Sequence, residues 1–279
     1  MTNTRSEISS IGIVGTFLKG RACSDTLFHV LSRAFDYPMK LEEQATMPFA
    51  GGIMQHGYQC GMVWGATLAA GAQAYRLFGP DPQAEARAII AAERLVQSFR
   101  ALNNHLNCLE ITDIDQSSST SQMIMFFLIK GGSIGCFRMA ARYAPVALEE
   151  INKAYAEAQV KALSPPTSCA TVLAQRMGVS EMHAAMVAGF AGGIGLSGGA
   201  CGALGAATWI ISMRNRQRTG NVAFKAPEAL AAIDRFVKCT DFEFECSEIV
   251  GRQFDSISDH AAHLRAGGCS AIFQALAAE

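Results

Sequence analysis

The strongest constraint on the fold of this chain is an internal duplication. The segment Phe49–Ile53, with the sequence FAGGI, recurs as Phe190–Ile194, and the register then continues without gaps to Thr67 and Thr208. A repeat of this length indicates that one structural unit occurs twice along the chain. We therefore predict two similar units related by a pseudo-two-fold axis, as in a fused homodimer.

The cysteines follow the same duplication. Of the nine cysteines, eight occur in the same order in the two copies, and Cys239 has no counterpart. The equivalent pairs are Cys23 with Cys169, Cys60 with Cys201, Cys108 with Cys246, and Cys136 with Cys269. Packing in a core can use cysteine as a small apolar residue, but it does not require cysteine at four equivalent places twice. We therefore expect all eight thiols to be metal ligands or redox groups.

Helical patterns dominate the rest of the sequence, and they predict an all-α fold. Apolar residues recur at helical spacing in several segments, while residues 123–129 fit a strand and a buried helix equally well. The predicted helices cover residues 81–103, 146–163, 228–237 and 271–278. We place the two repeats at residues 1–162 and 163–279, joined near the linker Ser164-Pro165-Pro166.

Composition limits the partners that the chain can have. Hydrophobic residues make up 50% of the chain, and 23 basic side chains nearly balance 24 acidic ones, so we expect no nucleic acid partner. Residues 44–75 and 182–213 carry no charge, but their glycines and polar residues favour buried helices over membrane spans. With no clear signal peptide, we predict a cytoplasmic protein whose thiols stay reduced.

A glycine-rich turn precedes the second cysteine of each copy. Glycine permits close backbone approach, and the N-terminus of a helix stabilises a thiolate. We therefore predict that Cys60 and Cys201 begin helices, have lowered pKa values, and are the catalytic residues if the chemistry is that of thiols. The glycines expected to line the site are Gly57, Gly61, Gly198 and Gly202.

This cysteine pattern resembles the redox-active family that is named for its C…GCAxxG…C…C motif. The first copy reads Cys60-Gly61-Met62-Val63-Trp64-Gly65, and the second reads Cys201-Gly202-Ala203-Leu204-Gly205-Ala206. The first copy departs from the motif at Met62 and the second at Ala206. The resemblance covers nearly the whole chain as two tandem units, and it implies redox activity.

The spacings of the cysteines favour a site built from separate elements. There is no Cys-x-x-Cys pair, which argues against zinc ribbons, thioredoxin-type pairs and c-type haem, and no phosphate loop indicates a nucleotide. Four converging thiolates fit an iron–sulfur cluster with two or four irons, serving electron transfer or a small oxidoreductase. The predicted ligands are Cys23, Cys60, Cys108 and Cys136 in the first copy, and Cys169, Cys201, Cys246 and Cys269 in the second.

Three other functions fit the same residues. Cys60 and Cys201 can be attacking thiolates in thiol–disulfide exchange, with resolving cysteines in their own repeats. The thiols can also bind Cu(I) or Zn(II) without catalysis, or they can be inert in a structural or partner-binding protein. A redox partner protein and self-association into an oligomer are compatible with these interpretations. His260 and His263 have no counterparts in the first copy, which favours surface or capping roles.

Overall fold

A computed structural model describes residues 22–129, 131–157 and 165–278 of the chain. These residues form fourteen α-helices, and the only β-structure among them is two isolated bridges, so the predicted all-α class is confirmed. The first copy contains α1 (Cys23–Ala34), α2 (Lys40–Gln44), α3 (Gly61–Phe78), α4 (Pro82–Asn103), α5 (Cys108–Thr112), α6 (Thr120–Ile124) and α7 (Gly132–Ala156). The second contains α8 (Cys169–Arg176), α9 (Glu181–Met186), α10 (Gly202–Thr219), α11 (Pro227–Cys239), α12 (Cys246–Val250), α13 (Ile257–Arg265) and α14 (Ser270–Ala277).

The order of elements repeats along the chain, with seven helices in each copy. A short 3₁₀ turn precedes the glycine-rich segment in both copies, at Met47–Phe49 and at Ala188–Phe190. The two β-bridges are also equivalent, because one joins Gln59 to Asn107 and the other joins Ala200 to Glu245. The duplication in the sequence is therefore a duplication of structure.

The predicted helix boundaries hold at some positions and fail at others. Helix α4 begins after Asp81, whose carboxylate accepts the Gln83 N–H at 2.7 Å as an N-cap. Helix α7 begins at Gly132 and not near residue 146. Pro145, a residue that commonly breaks helices, lies inside it and explains the wrong predicted start. Residues 123–129 are helical, ending in a π-helical turn, so the strand alternative is wrong.

Two further expectations concern the joint between the repeats and the charge-free segments. The predicted joint near residues 160–166 lies largely outside the described residues. None of the helices in the described ranges combines the length and the apolar character that crossing a membrane requires.

The pseudo-two-fold axis is visible because residues contact their own counterparts. Phe49 packs edge-to-face against Phe190, with ring centroids 5.7 Å apart. The Gln59 side-chain oxygen accepts the N–H of Ala200, its counterpart, at 2.9 Å. Trp64 lies directly against Gly205, where a Cβ atom would overlap the indole ring. Self-contact of equivalent positions is the geometric signature of an isologous interface.

The largest hydrophobic core cluster spans both copies around this axis. Trp64 stacks on Phe49 with centroids 4.9 Å apart and meets the edge of Phe190 at 4.7 Å. All three rings are fully buried, in one cluster with core residues from both repeats. The two copies therefore bury their apolar faces against each other, as expected for units that would expose such a face alone.

The close approach at Gly205 predicts a specific loss of stability. Gly205→Ala places a methyl group against the buried Trp64 ring, so we expect the free energy of unfolding to fall by about 1–3 kcal/mol. Chemical denaturation followed by far-UV circular dichroism measures this change.

Gly135→Ala in α7 is the matched control, because no atom of the described residues outside its own stretch of helix lies within 4 Å of the added Cβ. Helix propensity alone then leads us to expect a gain of about 0.5–1 kcal/mol. Equal effects of the two substitutions would contradict the close packing at the axis.

Candidate functional site

The cysteines of each copy lie at or near the beginnings of four separate helices. Cys60 and Cys201 occupy the N-cap positions of α3 and α10, as predicted from the glycine-rich turns. Cys136 is an exception because it lies one turn inside α7. The others begin their helices or cap them: Cys23 begins α1, Cys108 begins α5, Cys169 begins α8, Cys246 begins α12, and Cys269 caps α14.

Paired backbone hydrogen bonds hold the second and third cysteines of each copy side by side. The Cys60 N–H donates to Leu106 O at 2.9 Å, and the Cys108 N–H donates to Tyr58 O at 2.7 Å. The second copy repeats this pair. There the Cys201 N–H donates to Phe244 O at 2.8 Å, and the Cys246 N–H donates to Gly199 O at 2.7 Å. The same main-chain pattern therefore positions two thiols in both halves.

The thiols of each set influence one another electrostatically within their own copy. Cys23 is close enough to Cys60, Cys108 and Cys136 to change their pKa values. In the second copy, Cys169 acts in the same way on Cys201, Cys246 and Cys269. We call these groups the first set and the second set. All nine cysteines are free. In the described part of the chain, no three His, Cys, Asp or Glu side chains form a group that could hold a metal ion.

Cys23 is the thiol in the first set whose pKa is lowered. The main cause is a hydrogen bond from the Cys60 thiol, and the backbone N–H groups of Gly51 and Ser24 also donate to the Cys23 sulfur. Cys60 donates the shared proton, so the pKa of Cys60 is raised well above its ordinary value, and burial raises it further. The lowered pKa predicted for Cys60 is therefore wrong, because a neighbouring sulfur outweighs the helix N-terminus.

Burial raises the pKa of the remaining thiols of the first set. Desolvation is the main cause for Cys108 and for Cys136, and each pKa is raised to about 12. The negative charge of a Cys23 thiolate raises both values further. These two thiols are thus neutral near pH 7 unless a cation or a metal compensates the charge.

The second set differs from the first in its hydrogen bonds. Gly192 and Ala170 donate N–H groups to Cys169, as their counterparts do to Cys23, but Cys201 donates no comparable bond. Burial therefore raises the pKa of Cys169, and it raises the pKa of Cys201 to about 12. The lowered pKa predicted for Cys201 is wrong for this reason. Burial also raises the pKa values of Cys246 and Cys269.

The four predicted glycines have identifiable backbone roles. Gly57 and Gly198 have φ values of +85° and +79°, which favour glycine at these turns. A Cβ atom on Gly61 would lie 2.8 Å from the Cys23 sulfur, and one on Gly202 would overlap the Phe190 carbonyl. Gly61 thus lets the first cysteine approach the helix that Cys60 begins. Cofactor binding by these glycines remains a prediction.

The two histidines of α13 do not have the exposed surface positions that the sequence favoured. His260 is buried, and its Nδ1 lies 3.0 Å from Thr167 O. His263 is half-buried, and its Nε2 lies 3.8 Å from the Cys269 sulfur. The contact of His263 with Cys269 depends on the turn that follows α13, which the sequence does not reveal.

A cavity of about 350 Å³ lies beside the paired hydrogen bonds, with walls from both copies. Its charged lining residues are Arg100, His105, Glu110 and Glu245. Desolvation and the nearby Glu248, Glu110 and Glu243 raise the pKa of Glu245. The cavity is therefore polar and mixed in charge, in contrast to the apolar surroundings of the sulfurs.

Comparison with known proteins agrees with this arrangement. The model of a family described as "putative redox-active protein (C_GCAxxG_C_C)" matches the chain twice, over residues 21–149 and 166–278. Each match contains one complete set of four cysteines. No curated protein and no solved structure matches the chain. The double match supports a redox role for the chain and confirms the tandem arrangement.

The hydrogen bond between the first two cysteines predicts how Cys23 reacts. Cys60→Ala removes the donor, so we expect the pKa of Cys23 to rise and its alkylation at neutral pH to slow several-fold. The pH dependence of iodoacetamide labelling, read for each cysteine by peptide mass spectrometry of the metal-free, reduced protein, measures this shift.

Two variants serve as matched controls. Cys60→Ser retains a hydroxyl donor and should keep the pKa of Cys23 lowered. Cys201→Ala should leave the labelling of Cys169 almost unchanged, since Cys169 accepts no bond from Cys201. An unchanged labelling profile of Cys23 in Cys60→Ala would show that the Cys60 proton does not stabilise its thiolate.

Proposed function

Because the chain belongs to the C_GCAxxG_C_C family of redox-active proteins, we propose that each set of four cysteines binds an iron–sulfur cluster. The clusters would serve electron transfer or a small redox reaction. The observation that supports this proposal is that, in both copies of the repeat, four cysteines from four separate helices influence one another's pKa values.

The donor set fits this cofactor chemically. Thiolates are the usual protein ligands of iron–sulfur clusters, and each set offers four of them in largely apolar surroundings. Backbone N–H groups also point at the sulfurs, from Gly51 to Cys23 and from Gly192 to Cys169. Such hydrogen bonds tune the reduction potential of a cluster.

The raised pKa values favour metal binding over free thiol chemistry at most of these positions. A thiol is a poor nucleophile when desolvation raises its pKa to about 12, as for Cys108, Cys136 and Cys201. A bound metal centre compensates the charge of the thiolates and releases their protons. The buried thiols are therefore better suited to ligate a metal than to attack a substrate.

A bound cluster would supply one-electron oxidation and reduction. The chain itself holds the ligands at helix starts, donates main-chain hydrogen bonds to them and limits the access of water. In the first set Cys60 alone is buried, whereas in the second set Cys269 alone is half-buried, so the first set is closer to solvent. An external electron partner would therefore approach the first set more readily.

Anaerobic isolation tests this proposal. We expect absorbance near 400 nm, together with matched amounts of iron and acid-labile sulfide. The triple substitution Cys23→Ser, Cys108→Ser and Cys136→Ser should remove about half of the iron, because the second set remains intact.

Cys239→Ser is the control, since Cys239 is exposed and has no counterpart in the first copy. It should leave iron and sulfide unchanged. Protein that binds zinc or copper in place of iron and sulfide would favour the soft-metal alternative. Protein that binds no metal after anaerobic reconstitution with iron and sulfide would contradict both.

A second candidate function rests on the contact between Cys23 and Cys60. The two thiols share a hydrogen bond, one with a lowered and the other with a raised pKa, as in a thiolate–thiol pair. Oxidation by a disulfide substrate would remove two electrons and the one remaining thiol proton from the pair and form one S–S bond between them, while the substrate disulfide is reduced. In this alternative the attacking sulfur is Cys23, and Cys60 resolves the mixed disulfide.

Mild oxidation of the metal-free protein distinguishes this alternative. We expect diamide to form a Cys23–Cys60 disulfide that dithiothreitol reverses, detected by mass spectrometry of non-reduced peptides. Cys169 and Cys201 provide the internal comparison and should oxidise more slowly, because burial raises the pKa of both thiols. Random pairing among all the cysteines would contradict a dedicated dithiol.

A further inference from the structure

The last helices of the two copies differ in length, and a cavity lies where the shorter one stops. Helix α7 has 25 residues, whereas α14 has eight. The two helices pack alike near the fourth cysteines, since Tyr143 and Leu276, each seven residues after that cysteine, are both buried. Beside the end of α14, the second copy has a cavity of about 450 Å³.

The walls of this cavity correspond to surfaces that α7 covers in the first copy. We call it the α10–α11 groove, and the lining residues that matter below are Ile211, Arg214, Arg218, Ala231, Arg235 and Leu276. Helices α3 and α10 have equal lengths and both follow the second cysteine, so Ala70 and Ile211 are equivalent. The Tyr155 hydroxyl donates to Ala70 O at 2.6 Å. The C-terminal half of α7 therefore covers on α3 the position that lines the groove on α10.

The first copy shows what kind of segment fits such a surface. The C-terminal half of α7 buries a face of small and apolar side chains, which includes Ala147, Ile151 and Ala154. Just after the helix, the Glu157 carboxylate accepts a hydrogen bond from Arg94 on α4 at 2.5 Å. An amphipathic helix with an acidic residue at its end therefore fills the equivalent surface of the first copy.

The α10–α11 groove carries more positive charge than the equivalent surface. Arg214 and Arg218 lie at positions that are uncharged in α3, and Arg235 on α11 adds a third guanidinium. Arg218 pairs with the carboxylate of Glu228, whereas Arg214 and Arg235 donate to main-chain carbonyl groups, which carry no net charge. The groove therefore has an excess of positive charge that acidic side chains would complement.

We propose that the α10–α11 groove binds an acidic, amphipathic helix of a partner protein, as residues 145–157 cover the equivalent surface of the first copy. The apolar face of the partner helix would pack on Ile211 and Leu276, and its acidic residues would pair with Arg214 and Arg235. This helix would bind at the opposite end of α14 from Cys269, so its binding is independent of any metal at the cysteines.

A peptide with the sequence of residues 145–157, PVALEEINKAYAE, is the probe for this groove. Fluorescence anisotropy of the labelled peptide, titrated with the full-length chain, measures the affinity, and isothermal titration calorimetry measures the stoichiometry. We expect one peptide per chain, because α7 already covers the equivalent surface of the first copy. High salt should weaken binding by screening exposed charges, as should replacement of the three glutamates of the peptide by glutamine.

Two variants of the full-length chain test where the peptide binds. Arg214→Gln combined with Arg235→Gln keeps hydrogen-bond donors but removes two charges, so binding should weaken several-fold. Ala231→Trp places an indole ring in the groove and should abolish binding, and it should not disturb the fold because Ala231 is exposed. Arg138→Gln combined with Arg142→Gln is the matched control, since both arginines are exposed on α7 and lie outside the groove.

Several outcomes would overturn the partner helix. The unsubstituted chain could fail to bind the peptide, or all the variants, with unchanged helicity by circular dichroism, could bind it equally well. Decanoate that binds as tightly as the peptide and displaces it would assign the groove to a small amphiphilic anion. A dimer in analytical ultracentrifugation that Ala231→Trp dissociates would assign the groove to a second copy of the chain.

Discussion

Phe49 packs edge-to-face against Phe190, its own counterpart, and the placement of both cysteine sets depends on this close approach. The approach requires Gly205 beneath the Trp64 ring, since any larger residue there would separate the two copies. The segments that meet at the axis continue directly into α3 and α10, whose N-caps are Cys60 and Cys201. The packing that forms the common core therefore also fixes the second thiol of each set, and the paired main-chain hydrogen bonds then fix the third.

Burial of the thiols determines what chemistry they can perform. A buried thiolate needs hydrogen-bond donors or a cation, and the first set supplies donors mainly to Cys23. Desolvation dominates at Cys108, Cys201 and Cys246, so these groups keep their protons in the absence of a metal. The same low polarity that makes them poor nucleophiles makes them suitable ligands, because a metal centre replaces protons and removes the penalty of isolated charges.

The sequence contains the duplication, the all-α class and the helix starts at Cys60 and Cys201, because repeats and glycine-rich turns are local patterns. The pKa values could not be predicted in this way. The donors that lower the pKa of Cys23 come from Gly51 and Cys60, which are distant in sequence and meet it only in the folded chain. The start of α7 could not be predicted either, since a proline such as Pro145 normally interrupts a helix. The contact of His263 with Cys269 depends on a positive φ at a non-glycine residue, which no composition rule predicts.

Fusion of the two copies explains why they can differ at their shared axis. In a homodimer, every residue at the axis meets an identical copy of itself, so two tryptophans at the position of Trp64 would compete for one space. The fused chain places Trp64 against Gly205 and Gln59 against Ala200, and each pair fits only because its members differ. The same freedom applies to the cysteine sets, because Cys60 donates a hydrogen bond to Cys23 and Cys201 donates no comparable bond to Cys169. A duplicated chain can therefore give its two cysteine sets different thiol chemistry, which identical subunits could not do without breaking their symmetry.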